Sequence, residues 1–190
     1  MTSDATRERR RPTVLVLCTG NLCRSPLVEA LLRDRLSHAG RRVDVFSAGL
    51  AAPLDRRPDG KLQRVAREHG VDVSSHRSRP VTDHLLSSAD LVVVMTRRHE
   101  EQVNALRPDA KSRTALLRAA SWKARAISPH AVPFPEWVRL LASEVPDAER
   151  SSTTTEDIAD PIGRPLRRYR EMAADVESYV EALVRHWPTD

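Results

Sequence analysis

Cysteine is scarce in this chain of 190 residues, which has one thiol at Cys18 and a second at Cys23. Two cysteines five positions apart build no disulfide framework of the kind that stabilises small secreted domains. No run approaches the ~20 apolar residues of a membrane-spanning helix, and the charged N-terminus has no apolar segment typical of a secretory signal. The sequence therefore predicts a protein of the reducing cytoplasm with no membrane span.

Aromatic residues are also few: three Trp, two Tyr and two Phe. Proteins that bind nucleic acid combine clustered basic residues with aromatic side chains on which bases stack. Here the formal charge of +5 is spread along the chain without interleaved aromatics. We therefore expect no nucleic-acid partner, and a basic surplus that steers smaller anions instead. No metal or other cofactor is expected.

The order of apolar runs predicts an α/β fold. Four runs have strand character, at 13–17, 42–46, 91–95 and 113–117, the last with a helix as the alternative. The second run stops at the S-A-G tripeptide, residues 47–49. Helical periodicity separates the runs. This alternation indicates a three-layer fold, flavodoxin- or Rossmann-like, with a four-stranded parallel sheet, helices on both faces and ligands outside the carboxyl ends of the strands.

The length of the chain predicts one domain. We assign it to residues 13–190, preceded by a disordered basic arm at 1–12. Residues 119–156 are expected to form a helical excursion, with a proline-rich bend and a mobile S-S-T-T-T linker at 151–155. Apolar residues at three- and four-residue spacing from Leu166 to Trp187 predict a long closing helix.

The string C-T-G-N-L-C-R-S-P, from Cys18 to Pro26, lies between the first predicted strand and helix. Such a loop, with Gly20 to let the backbone curl, directs its amides to one place where an anion binds. Arg24 adds a planar, two-pronged phosphate clamp. Helix amides and a nearby arginine also favour the thiolate form of a cysteine, the nucleophilic form. The alternative, an inert buried Cys18, explains neither Gly20 nor Arg24.

This string resembles the active-site loop of low molecular weight protein tyrosine phosphatases, which act through a cysteinyl-phosphate intermediate. The resemblance implies a phosphoric monoester hydrolase whose partners are a phosphorylated protein and a phosphate or sulfate anion in the loop. The implied phosphate-binding residues are Thr19, Gly20, Asn21, Leu22, Cys23, Arg24 and Ser25. The implied catalytic residues are Cys18, Arg24 and Asp160, the last being the general acid of a D-P-I-G loop.

The resemblance also implies a supporting hydrogen-bond network under the loop. Asn21, Ser47 and His76 match family positions whose side chains hold the loop amides in shape. Ser25 is expected to place its hydroxyl against Cys18; as an alternative, or in addition, it caps the first helix. Cys23 either captures an oxidised Cys18 as a disulfide or fills space in the core.

The expected substrate wall departs from that of the tyrosine phosphatases, which place aromatic residues after the Asp-Pro pair and after the second strand. This chain has Ile162 and the segment A-A-P-L-D-R-R, residues 51–57, at those places. A phenyl ring would lose part of its stacking there. Compared with the resembled family, the segment at about 119–156 is a helical insertion. Phe134, Trp122 or Trp137 of this predicted insertion are candidates to replace the missing wall.

Other features resemble the protein-arginine-phosphatase branch of the same family. These are Thr19 directly after the nucleophile, the V-M-T run at 94–96 and the D-P-x-G form of the acid loop. Phosphotyrosine is the first expectation for the substrate and phosphoarginine the alternative. An arsenate reductase is disfavoured because it needs further cysteines to relay a disulfide outward. A silent phosphate-binding module is disfavoured because it has no use for a nucleophile or an acid.

Overall fold

The computed structural model describes residues 10–128, 132–143 and 156–189. Its centre is a parallel sheet with the strand order β2-β1-β3-β4. The strands are β1 (Thr13–Cys18), β2 (Asp44–Gly49), β3 (Leu91–Val94) and β4 (Thr114–Leu116). The helices of the described residues are α1 (Arg24–His38), α2 (Gly60–Glu68), α3 (Asp83–Ser88), α4 (Arg97–Leu106), α5 (Leu117–Ala126), α6 (Phe134–Ala142) and α7 (Leu166–Arg185), with a 3-10 helix at Pro108–Arg113.

The sheet separates two hydrophobic clusters, and β1 contributes to both. Val14 and Val16 face the larger cluster, which includes residues of α1, α5 and α7. Leu15 and Leu17 face the smaller cluster beside α3 and α4. A strand buried on both faces reads as a continuous apolar run, as this one does. The predicted α/β fold, with a four-stranded parallel sheet between helical layers, is confirmed.

The second strand is longer than the sequence predicts. The expected strand at 42–46 ended before S-A-G, whereas β2 runs from Asp44 through Gly49. Residues Ser47–Gly49 pair with Val16–Cys18 of β1. These ladder hydrogen bonds outweigh the local turn preference of a Ser-Ala-Gly sequence. As a result Ser47 is carried to the same sheet edge as Cys18.

The fourth strand lies inside the predicted run at 113–117, and the helical alternative for this run is wrong. Its three residues pair with Val92–Val94 of β3. Helix α5 begins at the next residue, Leu117.

The predicted arm and linker fall largely outside the described residues, at 1–9 and 151–155. The last residues of the arm contact the start of the sheet, where Arg10 pairs with Asp90. The carbonyl of Pro12 also accepts a hydrogen bond from the Asp44 amide at 2.9 Å. Within the described residues, no helix combines the length and apolarity needed to cross a membrane.

Two aromatic residues of the predicted insertion belong to the core. The rings of Phe134, Trp137 and Trp187 have centroids 5.0 to 6.0 Å apart. Trp137 is fully buried, and Phe134 is packed against the larger cluster. Neither therefore forms the substrate wall suggested for it. Trp122 is 41% exposed on α5, where its ring faces the Arg118 guanidinium at 5.0 Å.

Gly49 at the end of β2 permits a close approach to the loop that follows β1. A Cβ at this position would lie 2.6 Å from the Thr19 carbonyl oxygen and 2.9 Å from the Asn21 amide nitrogen. We expect Gly49→Ala to lower the free energy of unfolding by about 1–3 kcal/mol, because backbone atoms must shift. Urea denaturation measures the change. Gly60→Ala is the matched control, since no neighbouring atom lies within 4 Å of its added Cβ. Equal stability of the two variants would contradict the prediction.

Candidate active site

The segment from residue 18 to residue 25, here called the cysteine loop, joins the end of β1 to the start of α1. Cys18 is the last residue of β1 and Arg24 the first of α1. The N-cap residue of α1, Cys23, makes no side-chain capping bond, and the first turn has no acidic residue. The amides at a helix N-terminus attract anions. Here no side-chain cap from Cys23 competes for them.

The sharp turn of the cysteine loop lies at Asn21, which has a φ of 52°. The sequence pattern points to Gly20 for this freedom, but Gly20 does not have a positive φ and a Cβ there would make only ordinary contacts. Asparagine tolerates the left-handed region better than most residues. The Asn21 side chain also fixes the turn, because its oxygen accepts a hydrogen bond from the Arg79 amide at 3.0 Å.

The side-chain nitrogen of Asn21, Nδ2, donates to two hydroxyl groups. One is Ser25 Oγ at 3.0 Å, and the other is Ser47 Oγ at 2.8 Å. A hydroxyl that accepts one bond has its own hydrogen left to donate. The hydrogen of Ser47 goes to Glu29 Oε2 at 2.5 Å. Ser25 Oγ lies 3.0 Å from Cys18 Sγ and 3.5 Å from the Ala48 carbonyl oxygen, and it donates to the sulfur when Cys18 is a thiolate. The predicted capping role of Ser25 is wrong, since it is the second residue of α1 and its hydroxyl serves Cys18.

His76 supports the same turn from the opposite side. Its Nε2 lies 3.0 Å from the Asn21 carbonyl oxygen, so Nε2 carries the hydrogen and donates. Burial lowers the pKa of His76, although the carboxylate of Glu29 opposes the shift. The structure therefore brings together Asn21, Ser25, Ser47 and His76, as the sequence led us to expect. Glu29 was not foreseen, because it lies on α1 without a motif of its own.

Arg24 connects the cysteine loop to the Asp-Pro loop. It is 4% exposed. Its Nη1 donates to the Ile158 carbonyl at 3.1 Å and its Nη2 to Asp160 Oδ2 at 2.5 Å. The buried Nε has no hydrogen-bond partner among the described residues. A buried charged donor without a partner is costly, and it fits a group that meets an anion. The other oxygen of Asp160 accepts from the Ile162 amide at 3.2 Å.

Cys23 differs from Cys18 in its surroundings. It is 1% exposed and belongs to the larger hydrophobic cluster. Burial raises the pKa of the Cys23 thiol, and the negative charges of Asp160 and Cys18 raise it further. The side chain is therefore a neutral core group under the loop. Its capture of an oxidised Cys18 stays a prediction.

His99 is a site residue that sequence analysis missed. It is the third residue of α4, and its backbone amide donates to the capping hydroxyl of Thr96 at 3.2 Å. Its Nε2 lies 2.9 Å from Thr19 Oγ1. Burial, with the charge of Arg24, lowers the pKa of His99 to about 4, so the ring is neutral at physiological pH. His99 follows the carboxyl end of β3, the strand beside β1, and this position could have indicated that it lies near the cysteine loop.

The mouth of the site is formed by two loops that contact the cysteine loop. Residues 51–59 join it through bonds from the Ala51 amide to the Thr19 carbonyl and from the Asp59 amide to the Leu22 carbonyl. Residues 157–165 join it through Arg24. Each loop exposes one large apolar side chain. Leu54 is 73% exposed and Ile162 is 45% exposed.

Comparison with known proteins agrees with this geometry. The profile of the low molecular weight phosphotyrosine protein phosphatase family matches residues 13–131. The low molecular weight protein-tyrosine-phosphatase Etp of Escherichia coli is 34% identical over 140 residues, or 74% of this chain and 79% of Etp. The protein-arginine-phosphatase of Geobacillus stearothermophilus is 27% identical over 177 residues, or 93% of this chain and 97% of that protein.

A solved structure shows the same fold over nearly the whole length. The tyrosine phosphatase Wzb of Escherichia coli, in complex with sulphate, is 26% identical with a TM-score of 0.69, and the match covers 93% of this chain and 98% of Wzb. The sequence profile, the curated relatives and the fold agree. This chain therefore belongs to the low molecular weight phosphotyrosine protein phosphatase family.

Proposed function

We propose that the protein hydrolyses phosphomonoesters on proteins, with Cys18 as nucleophile, Arg24 as phosphate clamp and Asp160 as general acid. The observation that carries the proposal is the buried Arg24, bonded to Asp160 and with an unpartnered Nε at the helix N-terminus that follows Cys18. A nucleophile, an anion clamp and an acid within one site match the requirements of phosphoryl transfer through a covalent intermediate. The two thiols support a cytoplasmic setting.

In the first step the Cys18 thiolate attacks phosphorus, so that a sulfur–phosphorus bond forms and the ester bond breaks. Asp160 gives its proton to the departing oxygen. In the second step water attacks the cysteinyl phosphate, Asp160 takes a proton from that water, and the thiolate leaves. The Ser25 hydroxyl, at 3.0 Å from the sulfur, stabilises the thiolate at both ends of the cycle.

The contact between Arg24 and Asp160 links substrate binding to acid catalysis. Their ion pair, with Arg24 Nη2 2.5 Å from Asp160 Oδ2, places the general acid beside the phosphate clamp. A phosphoryl dianion that takes over the guanidinium weakens the pair and adds negative charge beside the carboxyl group.

Phosphotyrosine in a protein is the first candidate substrate, because relatives of this chain are named tyrosine phosphatases. The exposed side chains of Leu54 and Ile162 offer apolar contact to a phenyl ring. Exposed arginines without ion-pair partners among the described residues lie on three segments around the mouth: Arg56, Arg57, Arg98 and Arg164. These charges favour a phosphorylated protein segment over a small neutral ester.

Phosphoarginine is the second candidate. The favouring observation is Thr19, whose hydroxyl next to the nucleophile is held by His99 at 2.9 Å. A polar group at this place is a better contact for the guanidinium of phosphoarginine than for the phenyl ring of phosphotyrosine. The resemblance of the D-P-x-G loop to the arginine phosphatases points the same way.

Cys18→Ser is expected to abolish turnover of an aryl phosphate while phosphate affinity is retained, because the loop amides and Arg24 remain. Steady-state hydrolysis and phosphate titration measure the two quantities. Acid quenching of the wild-type enzyme during turnover, followed by mass spectrometry, should show phosphate on the peptide that contains Cys18. Appreciable hydrolysis by the serine variant would contradict the nucleophile assignment.

Asp160→Asn is expected to slow the hydrolysis of phenyl phosphate, whose phenolate is a poor leaving group, by about 100-fold or more. The hydrolysis of nitrophenyl phosphate should slow much less. The reason is that only the poor leaving group needs a proton. The ratio of kcat for the two esters gives the result. Asp175→Asn is the matched control, since this carboxylate lines the groove beside Asp160 and has no contact with Arg24. Equal losses on both esters would argue against the acid role.

Peptides of one sequence that carry either phosphotyrosine or phosphoarginine are expected to show a higher kcat/KM for phosphotyrosine. Leu54→Ala should lower that value about fivefold, which corresponds to ~1 kcal/mol of lost apolar contact. Leu106→Ala is the control, because Leu106 is also exposed but ends α4. A higher value for phosphoarginine would establish the second candidate instead.

A further inference from the structure

His99 and Thr19 form a contact that the proposed chemistry does not use. His99 is 4% exposed, and its Nε2 lies 2.9 Å from Thr19 Oγ1. Its Nδ1 is buried without a hydrogen-bond partner among the described residues. Thr19, by contrast, is exposed next to the nucleophile. A buried imidazole is thus paired with a hydroxyl that a ligand can reach.

The unpartnered Nδ1 decides which nitrogen carries the hydrogen. The ring is neutral, because burial and the charges of Arg24 and Arg98 disfavour the imidazolium. A neutral imidazole has one N–H group and one acceptor nitrogen. Buried N–H groups without a partner are rarer in proteins than buried acceptors without one. The hydrogen therefore belongs on Nε2, which donates to the Thr19 oxygen.

We propose that His99 is a positioning residue: its Nε2–H holds the Thr19 hydroxyl so that the hydroxyl hydrogen is donated to a phosphoryl oxygen bound in the cysteine loop. The hydroxyl has one hydrogen and two lone pairs, and His99 occupies one lone pair. The hydrogen of Thr19 is then directed to the open side of the loop. Thr19 thereby adds a side-chain donor to the backbone amides, Arg24 and the helix N-terminus.

This inference rests on the proposed function, since it assigns a donor to the same phosphate site. A hydrogen bond to a charged oxygen is stronger than one between neutral groups. Such a hydrogen bond also contributes more to binding when the donor is held in place before the ligand arrives. His99 holds the Thr19 hydroxyl in place from α4, across the crevice between β1 and β3.

The first test is a double-mutant cycle on binding of inorganic phosphate, measured by calorimetry. Thr19→Val, which removes only the hydroxyl, should weaken binding about tenfold. His99→Phe should weaken it about threefold, because the hydroxyl remains but is no longer oriented. The double variant should match Thr19→Val alone, since His99 acts only through Thr19. His99→Gln, whose amide can donate to Thr19, should restore part of the loss.

His38→Phe is the matched control, because His38 is an exposed histidine of α1 whose ring contacts a main-chain carbonyl. It should leave phosphate binding unchanged. Additive losses in the double variant would overturn the proposal. So would equal losses in His99→Phe and His99→Gln. If His99→Phe does not fold, as judged by circular dichroism, the cycle is run with His99→Leu, which also lacks a hydrogen-bond donor.

The second test reads the tautomer directly and does not depend on turnover. Nitrogen-15 NMR of the wild-type protein should show the His99 hydrogen on Nε2, with and without phosphate. A hydrogen on Nδ1 would overturn the proposal even if the enzyme is active. Phosphate binding with the predicted cycle, but without hydrolysis of any phosphomonoester, would instead refute the proposed function and leave the role of His99 standing.

Discussion

The left-handed turn at Asn21, held by hydrogen bonds on every side, is the constraint on which the candidate site depends. A loop whose amides face one point concentrates partial positive charge and does not keep that shape without support. Asn21 provides it through bonds to Ser25, Ser47, Arg79 and His76, which lie on three segments: α1, β2 and the loop between α2 and α3. Because Asn21, Ser25 and Ser47 are fully buried and hydrogen-bonded to one another, the network fixes a single loop conformation.

The strand order explains why these segments meet. In the order β2-β1-β3-β4, chain connections leave β1 and β3 on opposite sides of the sheet, and a crevice opens between their carboxyl ends. The cysteine loop follows β1 and the start of α4 follows β3. The contact of Thr19 with His99 therefore bridges the crevice. On the other side, the close approach of Gly49 brings Ser47 to within reach of Asn21.

Local pattern was enough to predict β1, the cysteine loop and the closing helix, because each rests on neighbours in the sequence. The supporting residues Ser47 and His76 came only from family resemblance. Sequence alone did not reveal His99, Glu29 or the close approach at Gly49, since these depend on strand register and on contacts across dozens of residues. The turn was also misplaced by one residue, because glycine is the stronger general signal for positive φ but Asn21 has the side-chain partners.

The side chain of Asn21 determines in which direction Ser25 and Ser47 donate their hydrogens. Asn21 has two N–H groups and gives one to each serine, so neither serine can donate back to it. Ser47 must then donate to Glu29, which occupies an oxygen of that carboxylate, and Ser25 has its hydrogen left for the sulfur of Cys18. Aspartate at position 21 has the same shape but only acceptors, and it would attract both hydroxyl hydrogens. Asparagine therefore tolerates the left-handed turn. It also leaves the Ser25 hydroxyl free to donate its hydrogen to the thiolate of the nucleophile.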